Sequence, residues 1–140
     1  MSLTIAETRD IGTCQRLRRA VFIEEQAVPE ALEVDGLDDG AWHLLASWDD
    51  QPIGTARLMV TGDTGKIGRV CVLAPMRGHG IGAALIRASV AKFRGLSGIT
   101  RVVLGAQTHA LGFYQALGFQ GEGDEYQDAG IPHLDMALEL

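Results

Sequence analysis

Between residues 64 and 121 the chain has no acidic side chain: Asp63 is the last before the gap and Glu122 the first after it. Inside it stand Lys66, Arg69, Arg77, Arg87, Lys92, Arg94 and Arg101, so this segment carries +7. Outside it, Arg9, Arg16, Arg18, Arg19 and Arg57 face all 18 acids, giving −13 and a net −6. A cationic block suits a ligand with several phosphates, and acidic flanks suit a cationic partner. A solvated helix face accounts for some of Arg87, Lys92 and Arg94 equally well.

Other absences exclude whole classes. Two cysteines in 140 residues make no disulfide framework, so Cys14 and Cys71 are expected as reduced thiols in a cytoplasmic protein. No apolar run reaches about 18 residues, which speaks against a membrane span. No basic-then-apolar stretch opens the chain, so no secretory signal is expected. His43, His79, His109 and His133 show no ligand spacing with cysteine, and no metal is expected. The net negative charge speaks against nucleic acid. The length fits one domain over 1–140.

What is present centres on residues 67–86. An apolar, β-branched run ends at Ala74-Pro75, then Arg77 precedes glycines at 78, 80 and 82, and helix-forming Ala83-Ala84-Leu85-Ile86 follows. A strand, a glycine turn and a helix start make an anion site, because glycine admits φ > 0 and free N–H groups at a helix N-terminus favour phosphate oxygens. The turn is not a P-loop, since no Gly-Lys-Ser/Thr follows. Gly78-x-Gly80-x-x-Ala83 fits the dinucleotide spacing, but that site needs an acid roughly 20 residues on, and none occurs before Glu122.

Around this core the pattern predicts a short strand at Leu3–Glu7 and a helix capped by Asp10 that runs to about Gln26. A hairpin of 42–48 and 53–60 turns about Asp49–Pro52. Strand four covers 66–73, a helix runs from Gly80 to Arg94, and strand five spans 100–105. A short helix at 109–117 and two closing strands, near Phe119 and at 133–138, follow. The order βαβββαβαββ is a mixed α/β sandwich.

Arg77-x-x-Gly80-x-Gly82 after an apolar strand, with Ala110-Leu111-Gly112-Phe113-Tyr114-Gln115-Ala116-Leu117-Gly118-Phe119 downstream, resembles the GNAT superfamily of N-acetyltransferases. Arg19-Ala20-Val21-Phe22-Ile23-Glu24-Glu25-Gln26, Val28-Pro29, Glu33-x-Asp35, Asp38 and Gly130-Ile131-Pro132-His133 are similar to its ElaA-like branch. The resemblance spans nearly the whole chain. It implies the GNAT acyl-CoA acyltransferase fold, with parallel strands four and five splayed apart, and acetyl-CoA as co-substrate. It places Val70, Cys71 and Val72 beside the pantetheine arm, and Arg77, Gly78, His79, Gly80, Ile81, Gly82 and Ala83 at the pyrophosphate. It makes Tyr114 the general acid toward the leaving thiolate. His133 is a candidate base, and Glu25, Glu33, Asp35 and Gln107 are candidate substrate residues. Asp35, Glu33 and Glu25 also stand as alternative bases. The cysteines have no adjacent histidine or acid, which favours direct transfer in a ternary complex over a covalent cysteine route. The expected acceptor is a small-molecule or peptide primary amine, with no nucleic acid or membrane partner and with a homodimer left open. The alternative is a non-catalytic acyl-CoA sensor or interaction module of the same fold.

Overall fold

The computed structural model describes residues 2–140. One seven-stranded sheet has the order β1-β2-β3-β4-β5-β7-β6. Its strands are β1 Leu3–Thr8, β2 Trp42–Trp48, β3 Gln51–Thr61, β4 Thr64–Val72, β5 Arg101–Gln107, β6 Gln120–Asp128 and β7 Ile131–Glu139. The helices are α1 Ile11–Arg18, α2 Glu30–Glu33, α3 Ile81–Arg94 and α4 Leu111–Ala116. This is the mixed α/β order that the pattern predicts.

Local chemistry sets the connections. The β2–β3 turn holds only Asp49 and Asp50, both at positive φ (48° and 68°), the backbone that lets a two-residue hairpin match the sheet twist. Asp10 caps α1, its carboxylate accepting from the Thr13 N–H at 3.2 Å. The helix does not run on as a regular α-helix to Gln26. From Arg19 to Glu25 it widens into a π-helix, closed by the Gln26 N–H donating to the Val21 carbonyl at 3.0 Å. That phase change is found often at functional sites and has no simple residue signature.

Two cores lie against the sheet. α3 buries Ile81, Leu85, Ile86, Val90 and Phe93 among Leu44, Leu58, Ile67, Val102 and Phe119. α1 and the π segment bury Leu17 and Val21 with Cys71. Strand β6 lies at the sheet edge and is exposed along its whole length.

The gap between β4 and β5 positions the site. The two strands run parallel, yet pair only at Thr64 with Arg101, Gly65 with Val102 and Lys66 with Val103. Beyond that point they diverge. β4 also carries an extra residue against β3, where Thr55 faces Cys71 but Arg57 faces Gly68. Arg69 sits in this bulge at φ 49°. A bulge bends its strand and re-aims side chains. Here it turns Val70 and Val72 toward the α3 core while Cys71 faces α1.

Candidate functional site

The turn leading into α3 presents a row of backbone donors. Gly78 and Gly80 have φ of 84° and 76°, values that L side chains rarely adopt. A Cβ at either position would meet no protein atom within 4 Å, so conformation and open space, rather than packing, call for glycine. The backbone bonds of α3 begin with the Ala84 N–H to the Gly80 carbonyl at 3.1 Å. The amides of Gly78 to Ala83 therefore have no backbone acceptor among the described residues, and no side chain caps the helix. Six free N–H groups at a helix N-terminus fit a pyrophosphate.

Arg77 takes a different place from its neighbours. Its own N–H donates to the Ala74 carbonyl at 3.3 Å. Its Nε donates to the Val72 carbonyl at 3.0 Å, and its Nη2 to Glu25 Oε1 at 2.7 Å, with Nη1 on the other oxygen. That guanidinium holds the Glu25 carboxyl below the usual range. Arg77 thus braces the turn against the π segment, while the following amides face outward. His79 is exposed and its ring lies 5.7 Å from that of Trp48.

A cavity of about 310 Å³ occupies the gap between β4 and β5 and opens toward α2 and the β6–β7 hairpin. Glu33, Val70, Gln107, Tyr114 and His133 all line it; Glu25 and Asp35 do not. Asp35 is held by Arg57 at 2.7 and 2.8 Å and by Arg69 at 3.2 Å. The Arg57 bonds pull its carboxyl down to about 2. Gln107 donates to Gln26 Oε1 at 3.3 Å and meets the His109 ring nitrogen at 2.7 Å, which ties β5 to the end of the π segment.

Tyr114 projects from α4, edge-on to Phe113 and Phe119 at centroid distances of 5.0 and 6.2 Å. Burial pushes its phenol above the ordinary value of about 10, so it keeps its proton at neutral pH. No protein group hydrogen-bonds to its hydroxyl among the described residues. His133 is the histidine on the cavity wall. Its Nδ1 lies 2.7 Å from the Ile131 carbonyl, which can only accept, so the ring donates through Nδ1; in the neutral ring Nε2 is then the acceptor. Tyr126 stacks on that ring at 5.8 Å and donates to Asp135 at 2.7 Å, fixing its plane.

Cys71 sits on β4 with its side chain turned into the α1 core, and burial pushes its thiol up to about 12. That removes it as a nucleophile and leaves only its backbone near the gap. Among the described residues no group of three or more His, Cys, Asp or Glu gathers as a metal site, and no helix is long and apolar enough to cross a membrane.

The sequence reading missed Tyr126, Asp135, Arg69 and Gln26. Gly105 was the available signal for Tyr126: a Cβ there would lie 2.6 Å from the tyrosine hydroxyl. A glycine inside a strand marks a close approach. The cationic block also looks different once folded. Arg69, Arg77, Lys92 and Arg101 pair with acids from outside it. Much of its charge is spent on the fold itself.

Residues 7–140 match the acetyltransferase (GNAT) domain family. YyaT of Bacillus subtilis, an uncharacterised protein, is 38% identical over 139 residues, covering 97% of this chain and 93% of its own. ElaA of Escherichia coli is 34% identical over 129 residues, covering 89% and 84%. The ElaA crystal structure superposes with a TM-score of 0.87 over 99% of this chain and 100% of that one, at 28% identity. An acyl-CoA N-acyltransferase from Pseudomonas aeruginosa superposes with a TM-score of 0.88 at 31% identity, over 98% and 99%. With a splayed β4–β5 pair, a glycine turn of free amides and a match over 7–140, the chain belongs to the GNAT acetyltransferase family and is an acyltransferase enzyme.

Proposed function

We propose that this enzyme moves an acetyl group from acetyl-CoA to a primary amine by direct transfer in a ternary complex. The row of free amides from Gly78 to Ala83, together with the splayed β4–β5 pair, carries the reading. The turn would hold the pyrophosphate, and the pantetheine arm would run along Val70–Val72 into the cavity. The name of the Pseudomonas relative, an acyl-CoA N-acyltransferase, supports an acyl-CoA donor.

The residues divide the proton work. An ammonium of pKa about 10.4 cannot attack until it loses a proton. His133 Nε2 has its lone pair free on the cavity wall and can take that proton, directly or through water. The amine nitrogen then bonds to the acetyl carbon and the carbon–sulfur bond breaks. The sulfur leaves as a thiolate, and Tyr114, neutral and without a protein acceptor, can protonate it; the second proton shed by the nitrogen as the amide forms restores the phenol through water. A backbone N–H of β4 near Val72 would polarise the carbonyl oxygen as its charge builds. Neither cysteine is needed: Cys71 is buried with its thiol suppressed, and burial also raises the Cys14 thiol.

Calorimetry with acetyl-CoA, followed by free-thiol release on a panel of primary amines, tests the reading. Saturable binding and amine-dependent thiol release are expected. Binding with no release on any amine would overturn the transfer.

A further inference from the structure

The α2 wall of the cavity holds a carboxylate that the proton transfers above do not use. Glu33 lines the cavity and is 8% exposed. No donor among the described residues hydrogen-bonds to its carboxylate, and Oε1 is buried without a partner. Its nearest cationic atom is Arg69 Nε at 3.6 Å, beyond hydrogen-bond length, and that nitrogen is buried without a partner too.

Arg69 is drawn elsewhere. Its Nη2 donates to Asp35 at 3.2 Å and to the Leu32 and Glu33 carbonyls at 3.3 and 3.2 Å. Asp35 in turn meets Arg57, and Asp38 bridges Arg57 at 3.1 Å and Arg18 at 2.8 Å. Arg18, Asp38, Arg57, Asp35, Arg69 and Glu33 therefore alternate in charge from the α1 core to the cavity. The contacts tighten to 2.7–3.2 Å everywhere except at Glu33. A buried carboxylate without donors is destabilising unless a partner arrives. Glu33 stands at the cavity end of this chain, ion-paired with Arg69 at 3.6 Å but with no hydrogen-bond donor on its carboxylate among the described residues.

The amine that reacts is an unsuitable partner for it. That nitrogen must be neutral when it attacks, and His133 is the base proposed above for its proton. Glu33 suits an ammonium that stays charged throughout. The cavity lining is mixed: Phe22, Val28, Leu32, Val70, Leu104 and Ile131 supply its apolar part, and Lys66, Arg69, Asp128 and Asp135 its other charged groups. The geometry points to an acceptor with two amines, one that reacts beside Tyr114 and a second cationic group received by Glu33, joined by an aliphatic spacer. This substrate class rests on the acetyl transfer proposed above.

Matched acceptors test it on the wild-type protein. Monoamines and α,ω-diamines of three to seven carbons are compared by thiol release, with the ω-amino acids of the same lengths. A full charge-assisted contact raises kcat/KM for the best diamine by about ten- to hundredfold over its monoamine. The ω-amino acids fall below the monoamines. Glu33→Gln brings the best diamine down to the level of its monoamine while acetyl-CoA affinity holds. Equal kcat/KM for diamines and monoamines at every length would overturn the inference, and this arm needs no variant. If acetyl-CoA binds but no amine releases thiol, the transfer itself fails, and calorimetry of the diamines on CoA-loaded protein decides Glu33 separately. Saturable diamine binding lost in Glu33→Gln supports it; no diamine binding overturns it.

Discussion

The glycine turn and the β4–β5 cavity are built in opposite ways. The turn at Gly78–Ala83 is six consecutive residues whose backbone N–H groups have no backbone acceptor among the described residues, and Gly78 and Gly80 face open space. The cavity takes Phe22, Glu33, Arg69, Tyr114, Tyr126 and His133 from far-apart elements and acts through side chains. A backbone site is fixed by local conformation, so residue spacing along the chain announces it. A side-chain site is fixed by packing, so it tolerates changes of spacing but not of the chemical groups at its surface. The turn should therefore fail when a glycine gains a side chain, and the cavity when a side chain loses an atom.

The largest expected effect is at the cavity. Tyr114→Phe keeps the ring against Phe113 and Phe119 and deletes only the hydroxyl. Loss of a general acid lowers kcat by ~10²–10⁴. Acetyl-CoA affinity should stay near wild type, because the proton is needed only as the thiolate leaves. The loss should shrink with an acyl donor whose thiol has a low pKa. Full kcat in steady-state assays with acetyl-CoA would reduce Tyr114 to a packing residue.

The support behind the cavity wall comes next. Arg57 is 4% exposed and holds both Asp35 and Asp38. Breaking a buried pair from one side costs about 3–5 kcal/mol, so Arg57→Gln should lower the urea midpoint sharply. Acid should act on the same pairs. Arg57 pulls the Asp35 carboxyl down to about 2. Burial pushes Asp38 up, but Arg18, Gln15 and Arg57 outweigh it and leave that carboxyl below its ordinary range. A carboxyl whose pKa is depressed in the folded protein stabilises it fully above the unfolded value of about 3.9. That contribution is lost as pH falls from about 4 toward 2. The Tm of wild type should drop steeply over this window and that of Arg57→Gln less so; parallel curves would show that the chain stabilises nothing.

This contrast also explains what was readable beforehand. The strand–glycine–helix order gave away the turn, and β-branched runs gave away β4 and β5. Tyr114 and His133 were legible through the resemblance. Arg57 reads as an ordinary charge on a strand; only folding brings it between two aspartates 22 and 19 residues away. The Tyr126–Asp135 bond and the π-helix depend on packing across β6, β7 and α2, which residue periodicity does not encode. The cationic block was misleading for the same reason, since charge counted along the chain ignores which acids fold back onto it.

At the turn, Gly80→Asp asks a residue at φ 76° to carry a side chain and puts an anion where phosphate would sit. Aspartate tolerates the left-handed conformation better than other side chains, so like charge at about 4 Å, ~1–4 kcal/mol, is the main cost. Acetyl-CoA affinity by calorimetry should fall on the order of 10²-fold. The far-ultraviolet circular dichroism should be unchanged, since no protein atom lies in the way. His79→Ala serves as the control: a site made of amides should lose little. A larger loss at His79 than at Gly80 would mean that side chains hold the phosphates after all.

Glu25 links the π segment to the turn and gives the smallest expected change. It closes the π segment beside the cavity, and its carboxylate holds Arg77 at the turn. Both partners are largely solvated, with side-chain exposures of 39% and 42%. A solvated ion pair contributes little to stability. Glu25→Gln should therefore leave Tm nearly unchanged. It removes a negative charge near the amides, so acetyl-CoA affinity should rise by about two- to fivefold at low salt, and the gain should fade as salt screens it. Arg77 keeps its Nε bond to the Val72 carbonyl in either case. A fall in affinity instead would show that the pair shapes the turn. The backbone site would then depend on a side chain from the π segment, and the turn and the cavity would be one device.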